Sequence, residues 1–552
     1  MEDKLYSSDA AFPTLSDAQI ERLRAYGTER NVEAGDVLFA ETDQSYDFFV
    51  VLQGAVDIVR RSWDQQDGFI ARHGPGRFIG ELSLVTGQRP YLTARVVEAG
   101  RVLQIPGREF RRLLALDDEL ATLILDALMA RRILLMQNEG AGALQIFGSR
   151  FSPETLQLRA WVQRNQLPHV FRDLEDEKDP DVLLAAVGAR AGDSPVVITP
   201  TRVIRRATPG VLAEHLGLTY QPIPGHTYDV VIVGAGPAGL AAAVYAASEG
   251  LDTVVLDAVA SGGQAGTSTR IENYLGFPRG VSGEELTARA AVQAQRFGAR
   301  INSPCGVAGL RAVEAFHTVA LEDESEVPAR AVVIATGARY RKLDLPRWEM
   351  FEGVGIYYAA TEMEARVCVG QPVVVAGGGN SAGQAALFLD HKGANVSIVV
   401  RSDDLGAKMS RYLVDRIEAD THITVRTRTS ICEVNGETHL QSVGLEHKDD
   451  GRTTVPCTGL FCFIGAEPAT SWLPPEVALD SGGFVLTDRD LARPQAVAFA
   501  ALGRQALAFE TSVPGVFSVG DVRHGSMKRV AAAVGEGASA IRSTHEYLSS
   551  LQ

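Results

Sequence analysis

The sequence predicts a multi-domain protein in which a β-rich domain and a small α/β domain precede two three-layer α/β domains. Short apolar runs separated by turn residues mark a first segment at about residues 15–137, which is typical of a small barrel or sandwich. Strand and helix patterns alternate between residues 144 and 218. From residue 227 onward, two glycine-rich loops each stand between an apolar strand and a helical pattern, as in a βαβ unit.

The first segment is predicted to hold strands at Val37–Phe39, Asp47–Leu52 and Val56–Val59. Leucines spaced for one broad apolar face then predict a single helix from Arg108 to about Met136. Residues Asn138–Gly142 indicate a linker.

The second segment is short, and strand patterns alternate with helix patterns along it. Its predicted elements are a strand at Leu144–Phe147, a helix at Glu154–Asn165, a strand beginning at Val170–Phe171, a strand at Pro195–Ile198 and a helix at Pro209–Leu216. This pattern predicts a small α/β domain.

Composition limits the classes of partner. The chain has 552 residues, 45% of them hydrophobic and 22% charged, which is typical of a globular protein. Lys and Arg number 53 against 68 Asp and Glu, so the formal net charge is -15. An acidic surface repels phosphate backbones, and we therefore expect no nucleic-acid partner.

The sequence also bears on compartment. No run of 18 apolar residues predicts a membrane span, and the charged start Met1–Lys4 does not resemble a signal peptide. No pair of the five cysteines forms Cys-x-x-Cys, which indicates reduced thiols in the cytoplasm rather than a disulfide framework. The cysteines are Cys305, Cys368, Cys432, Cys457 and Cys462.

The first glycine loop follows the apolar strand Asp229–Val233. Gly234 permits the tight turn, Gly236 lets the backbone approach a pyrophosphate, and Gly239 lets helix and strand pack closely. Ala238 lies in the same loop, and the next strand ends in Asp257, where a ribose hydroxyl needs an acceptor. The pattern predicts a Rossmann-like site for FAD.

A second glycine loop follows the strand Gln371–Ala376. Its members are Gly377, Gly379, Asn380, Ser381 and Ala382. The next strand here ends in Arg401, with Lys408 or Arg411 as further cations, which suits a 2′-phosphate. We therefore expect NADPH at this site, with NADH possible, although a solvated surface arginine is the alternative for Arg401. No metal site is predicted.

The segment from residue 227 onward resembles the low-molecular-weight thioredoxin reductase family. The matching stretches include Gly262–Gln264, Ile271–Tyr274, Ala335–Ala338, the second glycine loop and Val513–Val522. The resemblance implies an FAD domain in two pieces, with a nicotinamide domain inserted between them. It also implies a homodimer, for which the apolar helix near 108–136 is a candidate interface.

The resemblance assigns further residues to the flavin. It implies that Gln264 and Asn273 lie along the flavin, and that Asp521, at a helix start, contacts the ribityl-phosphate part of FAD. The remaining residues that it places at FAD are Gly263, Ala335, Thr336, Gly337, Gly520, Lys528, Arg529 and Val530.

The catalytic dithiol of that family is replaced here. The alignment puts Ala359 and Glu362 where the family has two cysteines, and neither residue supplies the thiolate that disulfide exchange needs. The catalytic residues are therefore unknown. Cys368 is interpreted as a buried strand-edge thiol, and Cys457 and Cys462 as two packed thiols, with a redox pair as the alternative.

The second segment resembles a glutaredoxin/thioredoxin fold. Its first strand runs into a turn in which Ser149 and Ser152 stand where the family carries Cys-x-x-Cys. Serine hydroxyls are too weakly acidic for disulfide exchange, so this domain is expected to dock a partner or fix geometry rather than to carry electrons.

The first segment resembles a jelly-roll-like cyclic-nucleotide-binding domain. The stretch that carries the resemblance is Phe78–Leu84, in which Gly80, Glu81 and Leu82 would contact the nucleotide, with Glu81 on the ribose hydroxyl. A gapless alignment puts Pro90 at the position of the phosphate-binding arginine, with Arg89 one residue early. Binding of a cyclic nucleotide and a degenerate pocket used for packing therefore both stay open.

These observations define domains and a function to be tested. The domains are expected at 10–137 (cyclic-nucleotide-binding-like), 144–218 (thioredoxin-like), 227–343 and 464–552 (FAD) and 344–463 (NAD(P)H). The leading hypothesis is hydride transfer from NAD(P)H to FAD, and then to a quinone, dioxygen, a ferredoxin- or flavodoxin-like protein or an external disulfide. The alternatives are a thioredoxin-disulfide reductase using other thiols and a redox or cyclic-nucleotide-regulated sensor.

Overall fold

The computed structural model describes most of the chain. The described residues are 8–43, 45–61, 67–137, 144–199, 202–268, 270–313, 316–360, 362–492, 499–500 and 502–551. The linker predicted at 138–142 lies outside these residues. The chain divides into an N-terminal unit and a C-terminal unit. The N-terminal unit comprises Met1–His226, Ala243–Ala260 and Ala290–Gly306, and the C-terminal unit comprises Thr227–Ala242, Ser261–Arg289 and Val307–Gln552.

The first segment forms one antiparallel sheet, as its short apolar runs predicted. Its strands are β1 (Thr28–Val32), β2 (Val37–Phe39), β3 (Phe48–Arg61), β4 (Asp67–His73), β5 (Phe78–Ile79) and β6 (Thr93–Ile105), and its first helices are α1 (Ser8–Ala11), α2 (Asp17–Leu23) and α3 (Ser83–Thr86). The order is β1-β6-β3-β4, with β2 paired to β6 and β5 paired to β3. Aromatic and branched side chains of β3 and β6 fill the core of this domain.

The helix predicted at 108–136 is in fact two helices, α4 (Gly107–Leu116) and α5 (Asp118–Gln137). Asp117 separates them in an extended conformation, and its carboxylate accepts a hydrogen bond from the backbone N–H of Leu120 at 3.1 Å. Asp favours such capping over a helix interior, which explains the break. The apolar face, with Leu113 and Leu128 fully buried, belongs to the domain's own core. It is not available as the dimer interface that the sequence suggested.

The second segment is a small mixed sheet with helices. Its elements are β7 (Leu144–Gly148), α6 (Pro153–Arg164), β8 (His169–Asp173), α7 (Pro180–Ala186), β9 (Val196–Ile198), β10 (Val203–Ile204) and α8 (Pro209–Leu216). The order is β10-β9-β7-β8, with β7 and β8 parallel and the other pairs antiparallel. The sequence did not predict α7 or β10, because both are short and α7 is largely exposed.

Two strands that follow the first glycine loop in sequence belong to the N-terminal unit. They are β12 (Thr253–Leu256) and β13 (Arg300–Asn302), and they pair in parallel. Side chains tie them to the second segment, since the amide of Asn302 donates to the carbonyl of Leu218 at 3.4 Å and the hydroxyl of Ser303 donates to Oδ1 of Asn165 at 3.1 Å.

The C-terminal unit contains the rest of the first Rossmann-like domain. Its strands are β11 (Tyr228–Val233), β14 (Val307–Val313), β15 (Phe316–Leu321), β16 (Glu326–Ile334) and β27 (Val516–Ser518). It also contains α15 (Val530–Ser550) and the first parts of α9 (Pro237–Ser248) and α10 (Gly283–Arg296), whose later residues belong to the N-terminal unit. The strands β11 and β27 flank β16 in parallel, while β15 and β14 continue antiparallel from it. The parallel strands are buried runs of branched residues, as expected of a sheet covered on both faces.

The second Rossmann-like domain also lies in the C-terminal unit. Its parallel sheet has the order β18-β25-β19-β20-β21. The strands are β17 (Ala338–Tyr340), β18 (Ile356–Tyr357), β19 (Pro372–Ala376), β20 (Asn395–Val399), β21 (Thr424–Arg426), β22 (Thr429–Gly436), β23 (Leu440–His447), β24 (Gly451–Pro456), β25 (Gly459–Cys462) and β26 (Ala466–Pro468), and the helices are α11 (Trp348–Phe351), α12 (Glu362–Cys368), α13 (Asn380–His391) and α14 (Arg411–Ala419). Strands β22–β24 form a separate antiparallel sheet, and β17 pairs with β26. No helix in the described part of the chain is both long and apolar enough to cross a bilayer.

A glycine pair in α15 tests how this helix holds the first glycine loop. A Cβ on Gly537 would lie 2.1 Å from the carbonyl oxygen of Ala238 in α9, whereas a Cβ on Gly535 would meet no atom within 4 Å. Gly537→Ala should therefore push α15 from α9 and lower the free energy of unfolding by about 1–3 kcal/mol. Gly535→Ala is the matched control and should raise it by up to about 1 kcal/mol. Urea unfolding followed by circular dichroism measures both, and equal effects of the two variants would contradict this packing.

Candidate functional site

The first glycine loop joins β11 to α9 in close backbone contact. Gly234 has a φ of +108°, and a Cβ there would lie 2.3 Å from the carbonyl oxygen of Ala335. A Cβ on Gly239 would lie 1.9 Å from the carbonyl oxygen of Gly234. No other residue type fits at these two positions without moving backbone, as the sequence predicted.

A second turn closes over the first glycine loop. The N–H of Gly262 donates to the carbonyl of Ala235 at 2.8 Å. A Cβ on Gly263, whose φ is +53°, would lie 2.8 Å from Cα of Gly236, yet a Cβ on Gly236 would have no neighbour nearer than 3.8 Å. The side-chain amide of Gln264 donates to the carbonyl of Ala338. The structure therefore brings the predicted residues of these two turns together.

Two further backbone stretches complete this region of the C-terminal unit. The hydroxyl of Thr336 donates to the carbonyl of Ala469 at 2.9 Å. The N–H of Gly520 donates to Glu536 at 2.7 Å, and the guanidinium of Arg523 donates to both oxygens of the same carboxylate, at 3.1 and 2.8 Å. Glu536 was missed by sequence reasoning, and an acid inside the helix that follows the Gly-Asp pair is the signal that could have found it.

Asp521 lies in the short 3-10 helix Gly520–Val522, which begins at the residue before it. The long helix α15 begins only at Val530, after an intervening loop. Burial raises the pKa of Asp521, while the positive charge of Lys528 acts in the opposite direction. Lys528 and Arg529 are themselves exposed.

Asn273 lies on a surface loop. The loop is closed by reciprocal backbone hydrogen bonds between Ile271 and Val281, at 2.7 and 3.1 Å. Asn273 is exposed there, and Leu275 is 93% exposed at the tip. The sequence did not predict this degree of exposure for a residue expected beside a flavin.

Asp257 stands at the end of β12 in the N-terminal unit. Its Oδ1 accepts hydrogen bonds from the N–H groups of Val259 and Ala260, both at 2.9 Å, which fixes the turn after the strand. The guanidinium of Arg164 in α6 donates to the carbonyl of Ala260 at 3.2 Å. The second segment thus supports the turn that holds this acid.

The second glycine loop joins β19 to α13. Gly377 has a φ of +138°, and a Cβ there would lie 2.3 Å from the carbonyl oxygen of Phe463. Gly379 is the N-cap of α13, and a Cβ on it would meet no atom within 4 Å. Asn380 accepts a hydrogen bond from the N–H of Ser410 at 2.7 Å, Ser381 is exposed and Ala382 is buried. The helix thus presents its N-terminus to open space, which favours an anion.

Basic residues follow the strands beside this loop. Arg401 comes two residues after the end of β20 and is exposed, as is Lys408, which forms a backbone bridge with Gly379. Arg426 ends the neighbouring strand β21, and its Nε is buried without a hydrogen bond to any described residue. Sequence reasoning missed Arg426, although a second cation at the end of the next parallel strand was the available signal.

The positions aligned with the family's dithiol contain no sulfur. Ala359 is half-buried, and Glu362 is exposed at the start of α12, where it pairs with Lys392 at 2.5 Å. Cys368 is buried at the end of α12 and not at a strand edge, so that interpretation is wrong in its placement. Burial raises the pKa of the thiols of Cys368, Cys457 and Cys462 to about 12 in each case. Such thiols are poor nucleophiles at neutral pH.

The structure does not bring Arg89 to Glu81. Gly80 and Glu81 line a cavity inside the β-rich domain, and Leu82 is the buried N-cap of α3. Arg89 instead lines a separate small space with Thr199 and His215 of the second segment. The side chain offered by the sequence as a phosphate partner therefore faces another domain.

One group of potential metal ligands occurs in the described part of the chain. Asp390, Asp420 and His422 each place a ligand atom within 4.8 Å of the other two. Neither acid is buried and His422 is exposed, so we assign no metal to this group.

Comparison with known proteins bears on both ends of the chain. The family profile of pyridine nucleotide-disulphide oxidoreductases matches residues 228–537, and that of the cyclic nucleotide-binding domain matches residues 29–117. The chain is 34% identical to a thioredoxin reductase of Treponema pallidum over 334 residues, which are 59% of this chain and 98% of that protein. It is 33% identical to a thioredoxin reductase of Streptomyces clavuligerus over 58% of this chain and 94% of that protein.

A solved structure agrees with these matches. The crystal structure of thioredoxin reductase from Lactococcus lactis superposes with a TM-score of 0.52 at 29% identity, covering 58% of this chain and 99% of that one. Residues 1–227, which include the cyclic nucleotide-binding domain, lie N-terminal to the oxidoreductase family match. The chain therefore belongs to the thioredoxin reductase family of pyridine nucleotide-disulphide oxidoreductases and carries an N-terminal cyclic nucleotide-binding domain.

Proposed function

We propose that this chain is an FAD-dependent NADPH oxidoreductase that delivers electrons to its acceptor without an internal dithiol. The observation that carries the proposal is that both glycine loops retain their strand, turn and helix while the sequence contains no Cys-x-x-Cys. A chain that served only as a scaffold would have no need for glycines that are packed this closely at two loops.

The residues around the first glycine loop fit an FAD diphosphate. The open space at Gly236 lies beside Gly263, and backbone N–H groups at the start of α9 are available to an anion. We assign FAD to the residues that the sequence predicts for it, among which Asp257 takes the ribose and Asp521 lies near the ribityl-phosphate. The other members are Gly234, Gly236, Ala238, Gly239, Gly263, Gln264, Asn273, Ala335, Thr336, Gly337, Gly520, Lys528, Arg529 and Val530.

The residues around the second glycine loop fit NADPH. A helix N-terminus facing open space suits the diphosphate, and the cations Arg401, Lys408 and Arg426 suit the 2′-phosphate. The assigned set is Gly377, Gly379, Asn380, Ser381, Ala382, Arg401 and Lys408. NADH lacks that phosphate and gains nothing from the cations.

Bound FAD supplies the two-electron chemistry by accepting hydride from the nicotinamide and releasing electrons to an acceptor. The part played by the chain is to hold both nucleotides and to exclude side reactions. The acceptor classes that need no internal thiol are a quinone, dioxygen, a ferredoxin- or flavodoxin-like protein and an external disulfide such as that of a thioredoxin-like protein.

We propose a thioredoxin-like module at 144–218 that positions rather than transfers. Its sheet order and its β7-α6-β8 crossover support this assignment. Ser152 caps α6 by accepting a hydrogen bond from Thr155 N–H at 3.2 Å, and the hydroxyl of Ser149 donates to Glu175 at 2.5 Å. Both serines therefore have structural roles in the turn.

We also propose that the protein is a homodimer, on the basis of its family.

Arg401→Ala tests the cofactor assignment. Loss of a charge-assisted contact to the 2′-phosphate should cost about 1.5–3 kcal/mol, which lowers kcat/KM for NADPH at least about tenfold and leaves kcat/KM for NADH unchanged. Arg452→Ala, which removes an exposed arginine paired with Glu446, is the matched control and should change neither value. Steady-state kinetics with both nucleotides provides the measurement, and equal losses for NADPH and NADH would refute the role given to Arg401.

Replacement of all five cysteines by alanine tests electron delivery without a thiol. Because the thiols of Cys368, Cys457 and Cys462 are buried with raised pKa values, NADPH oxidation with menadione and with oxidised thioredoxin should keep the wild-type pattern. Cys432→Ala alone, at the half-buried thiol, controls for local packing. If the folded cysteine-free protein lost thioredoxin reduction that the wild type performs, an internal thiol relay would replace our proposal.

A further inference from the structure

The β-rich domain encloses a cavity of about 390 Å³. Pockets of this size hold small organic ligands. Its wall is mainly apolar. The wall is formed by residues of β2, β3 and β4, by the residue directly before β6, and by the end of α5. Characteristic lining residues are Phe39, Ile58, Ile70, Ala71, Leu92 and Leu134.

Two polar side chains of the lining have atoms that lack hydrogen-bond partners. His73 is 2% exposed, and its Nδ1 is buried without a hydrogen bond among the described residues. Glu81 is 6% exposed. Its Oε1 is also buried without a hydrogen bond among the described residues, while its Oε2 accepts a hydrogen bond from the N–H of Tyr91 at 3.3 Å. A buried polar atom without a hydrogen-bond partner is destabilising, so both atoms favour a polar group on an occupant.

No guanidinium or ammonium group among the described lining residues of the cavity is left over to bind an anion directly. Arg131 is the one arginine or lysine among its described lining residues, and its guanidinium donates to the backbone carbonyls of Ala11 at 2.8 Å, Gly80 at 2.8 Å and Phe78 at 3.1 Å. Arg89 lines a different space. A phosphate in this cavity would therefore have neither a dedicated cation nor the bidentate contact that makes phosphate sites strong.

The charge states of the lining agree with this geometry. Burial, with the charges of Arg131 and Arg77, lowers the pKa of His73 to about 3, so its imidazole is neutral at pH 7. Burial raises the pKa of Glu81 to about 7, against the opposing influence of Arg132 and Arg131. At pH 7 the Glu81 carboxyl is therefore only partly ionised, and beside an apolar wall it favours an uncharged hydrogen-bonding partner over a phosphate.

We propose that this cavity binds an uncharged, mainly aromatic small molecule that carries one hydrogen-bond donor, rather than the phosphate-bearing ring of a cyclic nucleotide. The rings occupy the apolar wall, and the donor lies against the free oxygen of Glu81 or the free nitrogen of His73. The domain thus keeps the fold of a cyclic nucleotide-binding domain and presents a different chemistry to its ligand.

The test uses the purified full-length protein and the neutral fluorescent probe N-phenyl-1-naphthylamine, whose emission rises in apolar surroundings. We expect saturable binding with a micromolar dissociation constant and no displacement by cyclic AMP or cyclic GMP at millimolar concentration. 1-Phenylnaphthalene has the same rings without the N–H, and it should displace the probe with at least about fivefold lower affinity, because Glu81 and His73 then stay unsatisfied.

Two substitutions locate the binding. Ala71→Phe fills the cavity and should weaken probe binding at least about tenfold, whereas Val37→Phe adds the same ring at an exposed position outside the lining and should change nothing. Ile70→Trp fills the same space and replaces Ala71→Phe if that variant does not fold. Competitive displacement by a cyclic nucleotide, equal affinity for the two naphthalenes, or unchanged binding in the folded cavity-filled variant would each overturn the proposal.

Discussion

Close contact between glycines and backbone at the first glycine loop is the constraint on which the rest of this structure depends. A methyl group at Gly234, Gly239, Gly263 or Gly537 would lie 2.8 Å or less from a neighbouring backbone atom. These contacts fix the start of α9 against the turn at 262–263 and against α15. A helix N-terminus held this firmly is a preorganised anion site, because its free N–H groups need no rearrangement when a diphosphate binds.

The N-terminal unit is built around residues that also serve the dinucleotide fold. Arg164 donates to Ala260, whose N–H is bound by Asp257, and Asn165 accepts from Ser303. In α5, Arg132 donates to the carbonyl of Gln166 at 3.0 Å, next to that contact and one residue away from the cavity-lining Arg131. Hydrogen bonds from α5 to Gln166 and from Arg164 to Ala260 therefore link the helix that lines the cavity of the β-rich domain with the turn that holds Asp257.

The fold was largely predictable because its signals are local. An apolar strand, a glycine turn and a helical pattern follow one another within a few residues at both loops, and the structure has the elements in those places. The helix pair α4–α5 was not placed correctly, since a single capping aspartate decides the boundary between the two helices. The residues at which helices begin and end depend on which backbone N–H and C=O groups find hydrogen-bond partners. The spacing of apolar residues in the sequence does not show this.

The site was less predictable than the fold. Glu536 contacts Gly520 because α15 packs beside the turn at 520, and Arg426 lies beside the end of β20 because β21 pairs with that strand in parallel. Arg89 shows the converse, because its neighbourhood in sequence suggested a contact with the Glu81 pocket that its side chain does not make. The direction in which a side chain points from a turn is set by tertiary packing, and a single sequence does not reveal that packing.

The central claim is that this chain holds a flavin and a pyridine nucleotide that exchange two electrons. Anaerobic stopped-flow addition of NADPH to the purified protein tests it most directly, with visible absorbance recording the oxidation state of the flavin. The account predicts isoalloxazine absorbance in the protein as purified or after reconstitution with FAD, and rapid bleaching by NADPH. A protein that shows no such absorbance after reconstitution, or a bound flavin that NADPH leaves oxidised, would contradict it.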